Sequence, residues 1–207
     1  MSRILTLHDP ATAAHFYREG HWQQDTLYAL LARNAQRWPQ RYALRDSARR
    51  LTWAQLAGWV DLVAHDLHQA GVRSGDRVSV WLPNRAETVV VTLACSRNGY
   101  ICNPSLHQTY TVGEVTALLR RLGSVALFAQ LGFGADATRH DIFAEARALP
   151  GMRRVYCLQP VREAGAPGRC EPADPIAPVT SPDKIVLLAF TSGTTGEPKG
   201  VMHSDRK

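Results

Sequence analysis

The sequence has 207 residues, and its 24 lysine and arginine residues outnumber 18 aspartate and glutamate residues, which gives a formal net charge of +6. With 45% hydrophobic and 20% charged residues, the chain can bury a real core, and this composition excludes wholesale disorder. The basic residues are scattered along the whole sequence instead of forming one run, which argues against a nucleic-acid-binding protein.

Cysteine usage and apolar runs indicate a cytoplasmic protein. The cysteines show no C-x-x-C spacing, and a chain of this length does not need disulfides, so we expect reduced thiols. The apolar run at 4–7 is too short for a secretion signal. The run at 88–96 is too short to cross a bilayer, which takes about 20 residues.

Helical and strand patterns alternate from residue 25 onward. Capping residues, apolar residues at helical spacing and short apolar runs define the elements. The expected helix caps are Asp25, Thr52 with Gln55, Asn84, and Thr111 with Glu114. In chain order, helices are predicted at 25–39, 52–71, 84–99, 112–122 and, more weakly, 135–149; strands are predicted at 42–45, 51, 77–82, 100–103, 125–129, 155–158 and 184–190.

This alternation predicts an α/β fold with a mostly parallel sheet covered by helices. Residues 1–24 show no period, and we interpret them as an N-terminal arm before an α/β core at 25–159. Residues 160–182 hold six of the twelve prolines and are expected to form a loop. Residues 183–207 contain a strand followed by a candidate phosphate-binding loop.

The candidate loop reads T-S-G-T-T-G-E-P-K-G over 191–200. Its glycines let backbone N–H groups approach a phosphate, its hydroxyls add donors, and Lys199 adds a positive charge, so a nucleoside triphosphate is the expected ligand. The spacing is not that of a Walker A loop, which argues against a small P-loop phosphotransferase that uses Lys199. Composition alone leaves open a plain glycine- and threonine-rich hairpin between two strands.

The longer stretch L-A-F-T-S-G-T-T-G-E-P-K-G-V-M at 188–202 resembles the phosphate-loop signature of the adenylate-forming superfamily, which includes acyl-CoA synthetases, luciferases and peptide-synthetase adenylation domains. Upstream, L-T-W-A-Q-L at 51–56, G-V-R-S-G-D-R-V at 71–78, L-P-N at 82–84 and the pair Asn103-Pro104 are similar to family segments. The resemblance spans roughly residues 25–205, and acyl-CoA synthetases are the most similar branch.

The resemblance implies the N-terminal part of the large domain of such an enzyme, with a two-step reaction. A carboxylic acid reacts with ATP, supplied with Mg²⁺, to give an acyl-adenylate and pyrophosphate, and coenzyme A then displaces AMP. The residues that would bind the nucleotide phosphates, by motif position, are Thr191, Ser192, Gly193, Thr194, Thr195, Gly196 and Lys199.

The sequence departs from the family pattern in two ways. Asp205 follows Ser204 where family members often have histidine. The segments that bind adenine and ribose in the family, and the small C-terminal domain with its catalytic lysine, are not in these 207 residues. We therefore expect the chain to be inactive by itself. The alternative is a non-catalytic interaction module derived from such an enzyme.

No metal site is expected from the histidines. His65 and His68 lie three residues apart on a predicted helix with Asp61 and Asp66 nearby, and a solvated helix face explains them. His107 follows Asn103-Pro104 and is expected in a surface loop.

Overall fold

The computed structural model describes residues 9–105, 107–161, 176–191 and 199–206. The predicted proline-rich loop is described only at its two ends, because 162–175 lie outside these ranges. The helices are α1 (Pro10–Arg18), α2 (Leu27–Arg37), α3 (Trp53–Gln69), α4 (Ala86–Asn98), α5 (Val112–Leu122) and α6 (Ile142–Arg147). The strands are β1 (Tyr42–Arg45), β2 (Arg50–Thr52), β3 (Arg77–Trp81), β4 (Ile101–Ser105), β5 (Ser124–Gln130), β6 (Arg154–Leu158), β7 (Ile185–Thr191) and β8 (Lys199–Ser204).

Six of these strands form one sheet in the order β6-β5-β3-β4-β7-β8. Neighbours are parallel except for β7 and β8, which form an antiparallel pair. The strands β1 and β2 pair separately and antiparallel. The predicted α/β fold with a mostly parallel sheet is therefore confirmed.

Helices cover both faces of the central strands. On one face, Val78 and Val80 of β3 share a buried cluster with Val91 of α4. On the other face, Leu127 of β5 shares a buried cluster with Val115 of α5 and with residues of α6. Since alternate residues of a strand point to opposite faces, this arrangement buries β3 and β5 on both sides.

The two predicted capping boxes are present. The Thr52 hydroxyl accepts a hydrogen bond from the Gln55 N–H at the start of α3, and the Gln55 side chain bonds back to the Thr52 N–H. Thr111 and Glu114 make the same pair of bonds at the start of α5. Both helices begin where the sequence predicts because each box satisfies two otherwise unpaired N–H groups.

The predicted caps of α2 and α4 are each wrong by one residue. Thr26 caps α2 through a 3.1 Å bond from the Ala29 N–H, while the Asp25 carboxylate pairs with Arg33 instead. Arg85 occupies the cap position of α4 without a side-chain cap, and Asn84 before it is exposed. Asp25 and Arg85 thus make ion pairs and no side-chain cap in the structure.

The region predicted as an arm contains α1, and the predicted helix at 135–149 is shorter than expected. Asp9 caps α1 by accepting bonds from two backbone N–H groups. The helix α6 begins only after Asp141, whose carboxylate accepts the Phe143 N–H. Before it, the Asp136 carboxylate accepts the Val112 N–H and ties this segment to α5 instead.

The thiols of Cys95 and Cys102 are buried and free, and that of Cys157 is exposed and free. None of the helices in the described ranges has both the length and the apolar character that a membrane span requires.

Candidate functional site

The two ends of the predicted phosphate-binding loop lie directly across from each other. The strand β7 ends at Thr191, β8 begins at Lys199, and the Cα atoms of these two residues are register partners. The predicted residues Ser192, Gly193, Thr194, Thr195 and Gly196 lie outside the described ranges. The structure therefore brings the two described members of the predicted set together at the end of one strand pair.

The loop leaves the sheet at an edge that suits ligand binding. The loop follows the carboxyl end of β7. Because β7 runs parallel to β4, this end lies at the same edge of the sheet as the carboxyl end of β4. The connection that leaves β3 leads to α4 on one face, and the connection that leaves β4 leads to α5 on the other face. Neighbouring strands whose connections diverge in this way open a crevice at their carboxyl ends, where open α/β sheets bind ligands.

A buried asparagine joins the strand of the loop to the central strands. Asn103 of β4 is 2% exposed, and its Nδ2 donates to the Leu188 carbonyl of β7 over 2.6 Å. On the other side, its Oδ1 lies 3.5 Å from the Ser79 hydroxyl, which is 2.7 Å from the Ser124 hydroxyl. A row of polar groups thus runs through the sheet from β5 to β7.

Four charged side chains form a buried group at the carboxyl edge, which we call the carboxyl-edge cluster. Its members are Asp46, Arg49, Arg85 and Glu87. Arg85 and Arg49 each donate two hydrogen bonds of 2.7–2.8 Å to the Glu87 carboxylate. Arg85 also donates to the Gln130 side chain and the Gln159 carbonyl. This cluster links the turn between β1 and β2 to the ends of β5 and β6.

The carboxylates of this cluster are held in the ionised form. Burial by itself would raise the pKa of Glu87, but hydrogen bonds from Arg85 and Arg49 lower this pKa to about 2. Burial opposes ionisation at Asp46 too, and the Arg49 side chain together with backbone N–H groups lowers the pKa of Asp46 to about 2. Because both arginines are engaged by these carboxylates, the cluster is a structural element and not an open anion site.

A second buried group closes the other end of the β7–β8 pair, and we call it the hairpin-base cluster. Its members are Ser96, Lys184 and Asp205. The Lys184 Nζ lies 2.5 Å from Asp205 Oδ2, and the Asp205 N–H donates to the Lys184 carbonyl over 2.9 Å. Asp205 Oδ1 also accepts the Leu27 N–H at the start of α2 over 2.9 Å. Asp205, which replaces the histidine of the family pattern, is thus a buried structural residue 1% exposed to solvent.

The histidines at 15–203 that the structure describes lie at the surface or in partly exposed positions. The His107 carbonyl accepts a hydrogen bond from the Trp81 ring, and the His107 side chain is exposed, as the sequence predicts. Over 9–105, 107–161, 176–191 and 199–206, no three histidine, cysteine, aspartate or glutamate side chains form a group that could hold a metal ion.

A family model described as AMP-binding enzyme matches residues 31–207. The chain therefore belongs to this family, which confirms the resemblance seen in the sequence. The fold and the loop sequence thus place the chain in the class of adenylate-forming enzymes.

Two relatives of known function are similar to nearly the whole of this chain. The chain is 32% identical to the salicyl-AMP ligase / salicyl-S-ArCP synthetase of Mycobacterium tuberculosis, over 92% of this chain and 35% of that protein. It is also 32% identical to the 2-hydroxy-7-methoxy-5-methyl-1-naphthoate–CoA ligase of Streptomyces carzinostaticus, over 93% of this chain and 37% of that protein. The chain thus spans little more than a third of the length of these relatives.

Solved structures share the fold over most of this chain and less than half of their own. The apo structure of Mycobacterium smegmatis MbtA superposes with a TM-score of 0.73 at 28% identity, over 97% of this chain and 38% of that chain. A putative long-chain-fatty-acid CoA ligase from Rhodopseudomonas palustris has a TM-score of 0.71 at 22% identity, over 87% of this chain and 45% of that chain. The described residues therefore form part of a larger α/β domain.

Proposed function

We propose that this chain supplies the nucleotide-phosphate-binding part of an ATP-dependent acid–CoA ligase. In the proposed reaction, a carboxylate oxygen attacks the α-phosphorus of ATP, and pyrophosphate leaves. The thiol of coenzyme A then attacks the acyl carbon of the acyl-adenylate, and AMP leaves. The observation that carries this proposal is the loop T-S-G-T-T-G-E-P-K-G between β7 and β8, at the carboxyl edge of a mostly parallel sheet.

In this proposal, the loop binds the β- and γ-phosphates. Glycines at three positions let successive N–H groups point at phosphate oxygens, and the serine and threonine hydroxyls donate further hydrogen bonds. Lys199 neutralises charge on the polyanion. Such chemistry depends on positioning and on charge neutralisation more than on a covalent step by the protein.

The arginines of the carboxyl-edge cluster have a different role in the proposal. Arg85 and Arg49 are bonded to Glu87, so they are not available to neutralise phosphate charge. Mg²⁺ is expected to arrive with the nucleotide, and the described ranges contain no group of side chains that would bind it.

Direct binding of ATP tests the loop assignment. We expect the purified 207-residue chain to bind ATP in isothermal titration calorimetry. Lys199→Ala should weaken binding roughly tenfold or more, since a charged hydrogen bond contributes about 1.5–3 kcal/mol. The matched control is Arg147→Ala, which removes one exposed positive charge at the end of α6, where the chain turns back toward the start of β6. Equal affinity in the Lys199→Ala chain would rule out the loop assignment.

Product analysis tests the second part of the proposal. With ATP, coenzyme A and a panel of aromatic and aliphatic acids, we expect no AMP above background from these 207 residues alone. Coenzyme-A-dependent AMP release would show that the chain is a complete catalyst. A chain that binds no ATP and unfolds in one sharp transition would instead support the interaction module.

A further inference from the structure

We propose that the buried Lys184–Asp205 ion pair sets the register of β8 against β7, and thereby sets which residue lies opposite Thr191 where the loop begins. Lys184 and Asp205 are thus positioning residues. Their proposed effect on ATP binding rests on the proposed function, whereas their effect on strand register does not.

The pair lies at the open end of the hairpin. Lys184 immediately precedes β7, and Asp205 immediately follows β8. They are joined twice, by the 2.5 Å contact between Nζ and Oδ2 and by the bond from the Asp205 N–H to the Lys184 carbonyl. The predicted phosphate loop lies at the closed end of the same hairpin. From the Leu187–His203 pair to the Thr191–Lys199 pair the ladder is regular, so the alignment of these residues reaches the start of the loop unchanged.

Both members of the pair are also fixed to the rest of the fold. Lys184 Nζ donates to the carbonyls of Val179 and Ser181, so all three of its protons can have acceptors. Asp205 Oδ2 accepts the Ser96 hydroxyl of α4, and Oδ1 accepts the Leu27 N–H of α2. Because Asp205 is bonded to two helices, β8 cannot slide past β7 without breaking these bonds.

The side chains of β8 specify its register weakly. Val201 is 40% exposed, Met202 is half-buried, and His203 is exposed. A slip by one residue normally exchanges a buried face for an exposed one, which is what prevents it. No side chain at 200–204 is fully buried, so a slip of one residue would move only the half-buried Met202 and Ser204 to the exposed face, and burial gives only a modest preference for one register. The ladder is already irregular between Ile185 and Leu187, next to the ion pair.

A buried ion pair suits this task. Charges removed from water add little net stability, but an alternative alignment leaves each charge buried without its partner, which is strongly unfavourable. A slip of one residue would shift β8 by about 3.3 Å and place a different residue opposite Thr191. The pair thus discriminates between registers even if it contributes little to the overall stability.

Cross-strand disulfides report the register directly. Ala189 is the Cα partner of Val201, so Ala189→Cys with Val201→Cys should form a disulfide, whereas Ala189→Cys with Gly200→Cys or with Met202→Cys would require a slip of one residue. These pairs are placed in a chain in which Cys157 and Cys170 are changed to serine. After oxidation with glutathione disulfide, mass spectrometry measures the cross-linked fraction.

In the parent chain, we expect the 189–201 disulfide to be strongly preferred over the two slipped pairs. The variant with Lys184→Met and Asp205→Leu removes both charges together, and an apolar pair often replaces a buried ion pair without loss of stability. Because leucine also removes the acceptor of the Leu27 N–H and the Ser96 hydroxyl, circular dichroism first checks that this variant folds. In this variant we expect the preference for 189–201 to be lost. The matched control is Ser96→Ala, which removes a hydrogen bond from the same carboxylate and should keep the parent preference.

The outcomes separate the inference from the proposed function. If the double variant keeps the parent preference for 189–201, the inference is wrong. If the double variant does not fold by circular dichroism, Asp205→Asn replaces it, since this change keeps the side-chain size, removes the charge that attracts Lys184 and leaves one oxygen to accept a hydrogen bond. A loss of preference together with weaker ATP binding supports both proposals. A loss of preference in a chain whose parent binds no ATP supports the inference and overturns the proposed function.

Discussion

The carboxyl-edge cluster and the hairpin-base cluster both bury charges, but they differ in how those charges are shared. In the first, two arginines and two carboxylates bind one another, and Glu87 contacts both arginines. In the second, within the described part of the chain, Asp205 has Lys184 as its one cation, supplemented by neutral donors. In the carboxyl-edge cluster, the remaining ion pairs can hold the side chains in place when one pair is lost. In the hairpin-base cluster, the arrangement depends on the single pair of Lys184 and Asp205.

The largest expected effect is at the shared carboxylate. Glu87→Gln leaves Arg85 and Arg49 buried with one negative charge fewer, so we expect a loss of about 3–5 kcal/mol in the free energy of unfolding. Urea denaturation followed by circular dichroism measures it. The control is Glu114→Gln on the exposed side of α5, where glutamine can also complete a capping box and the change should stay within about 0.5 kcal/mol. Equal effects of the two changes would contradict the buried role of Glu87.

Acid should weaken the same cluster. The pKa of Glu87 is about 2 in the folded chain against an ordinary 4.5, so its ionised form stabilises the fold above pH 4.5. This contribution is lost as the pH falls from 4.5 toward about 2, because the unfolded chain then binds the proton first. Urea denaturation at several pH values should show a steeper loss in the parent than in Glu87→Gln. Parallel pH profiles would contradict the assignment.

A smaller effect is expected at the hairpin base. Ser96→Ala removes the hydroxyl that donates to Asp205 and accepts the Tyr28 N–H, so we expect a loss of about 1–3 kcal/mol. Lys184 and Leu27 still bind the carboxylate, and the hairpin should stay in register. A loss as large as that of Glu87→Gln would remove the distinction between the two clusters.

The smallest effect is expected at an exposed pair. Arg154 lies 3.0 Å from Asp66, and both side chains are about half exposed. Arg154→Ala should therefore cost less than about 1 kcal/mol, and added salt should reduce the difference further. Urea denaturation at low and high salt measures it, and a loss above about 2 kcal/mol would show that this pair contributes more than its exposure indicates.

Local signals in the sequence predicted much of the fold. The capping boxes at Thr52 and Thr111 are present because their bonds join residues only three positions apart. The predicted caps of α2 and α4 are wrong by one residue: Thr26 caps α2 while Asp25 pairs with Arg33, and α4 begins after Arg85, which pairs with Glu87. Spacing does not reveal such partners, and the same limit applies to α6, whose predicted first turns are bound to α5 through Asp136.

The candidate site was only partly predictable. The loop at 191–200 is contiguous, so its composition and order were sufficient to propose a phosphate ligand. Asp205 was recognised only as a departure from the family pattern. Two of its partners, Ser96 and Leu27, lie 109 and 178 positions away in the chain, and these contacts follow from the packing of α4 and α2 against the hairpin, not from any local pattern.

Ionic strength acts on the two ends of the β7–β8 hairpin in different ways. The Lys184 side chain is 12% exposed and that of Asp205 is fully covered, so dissolved ions cannot enter between them and screen their attraction. The alignment of the strands should therefore be the same in dilute buffer and in concentrated potassium chloride. The salt dependence of the affinity for a polyanion such as ATP would then report only the number of protein charges that contact the polyanion at the loop, because the hairpin itself would not change with salt.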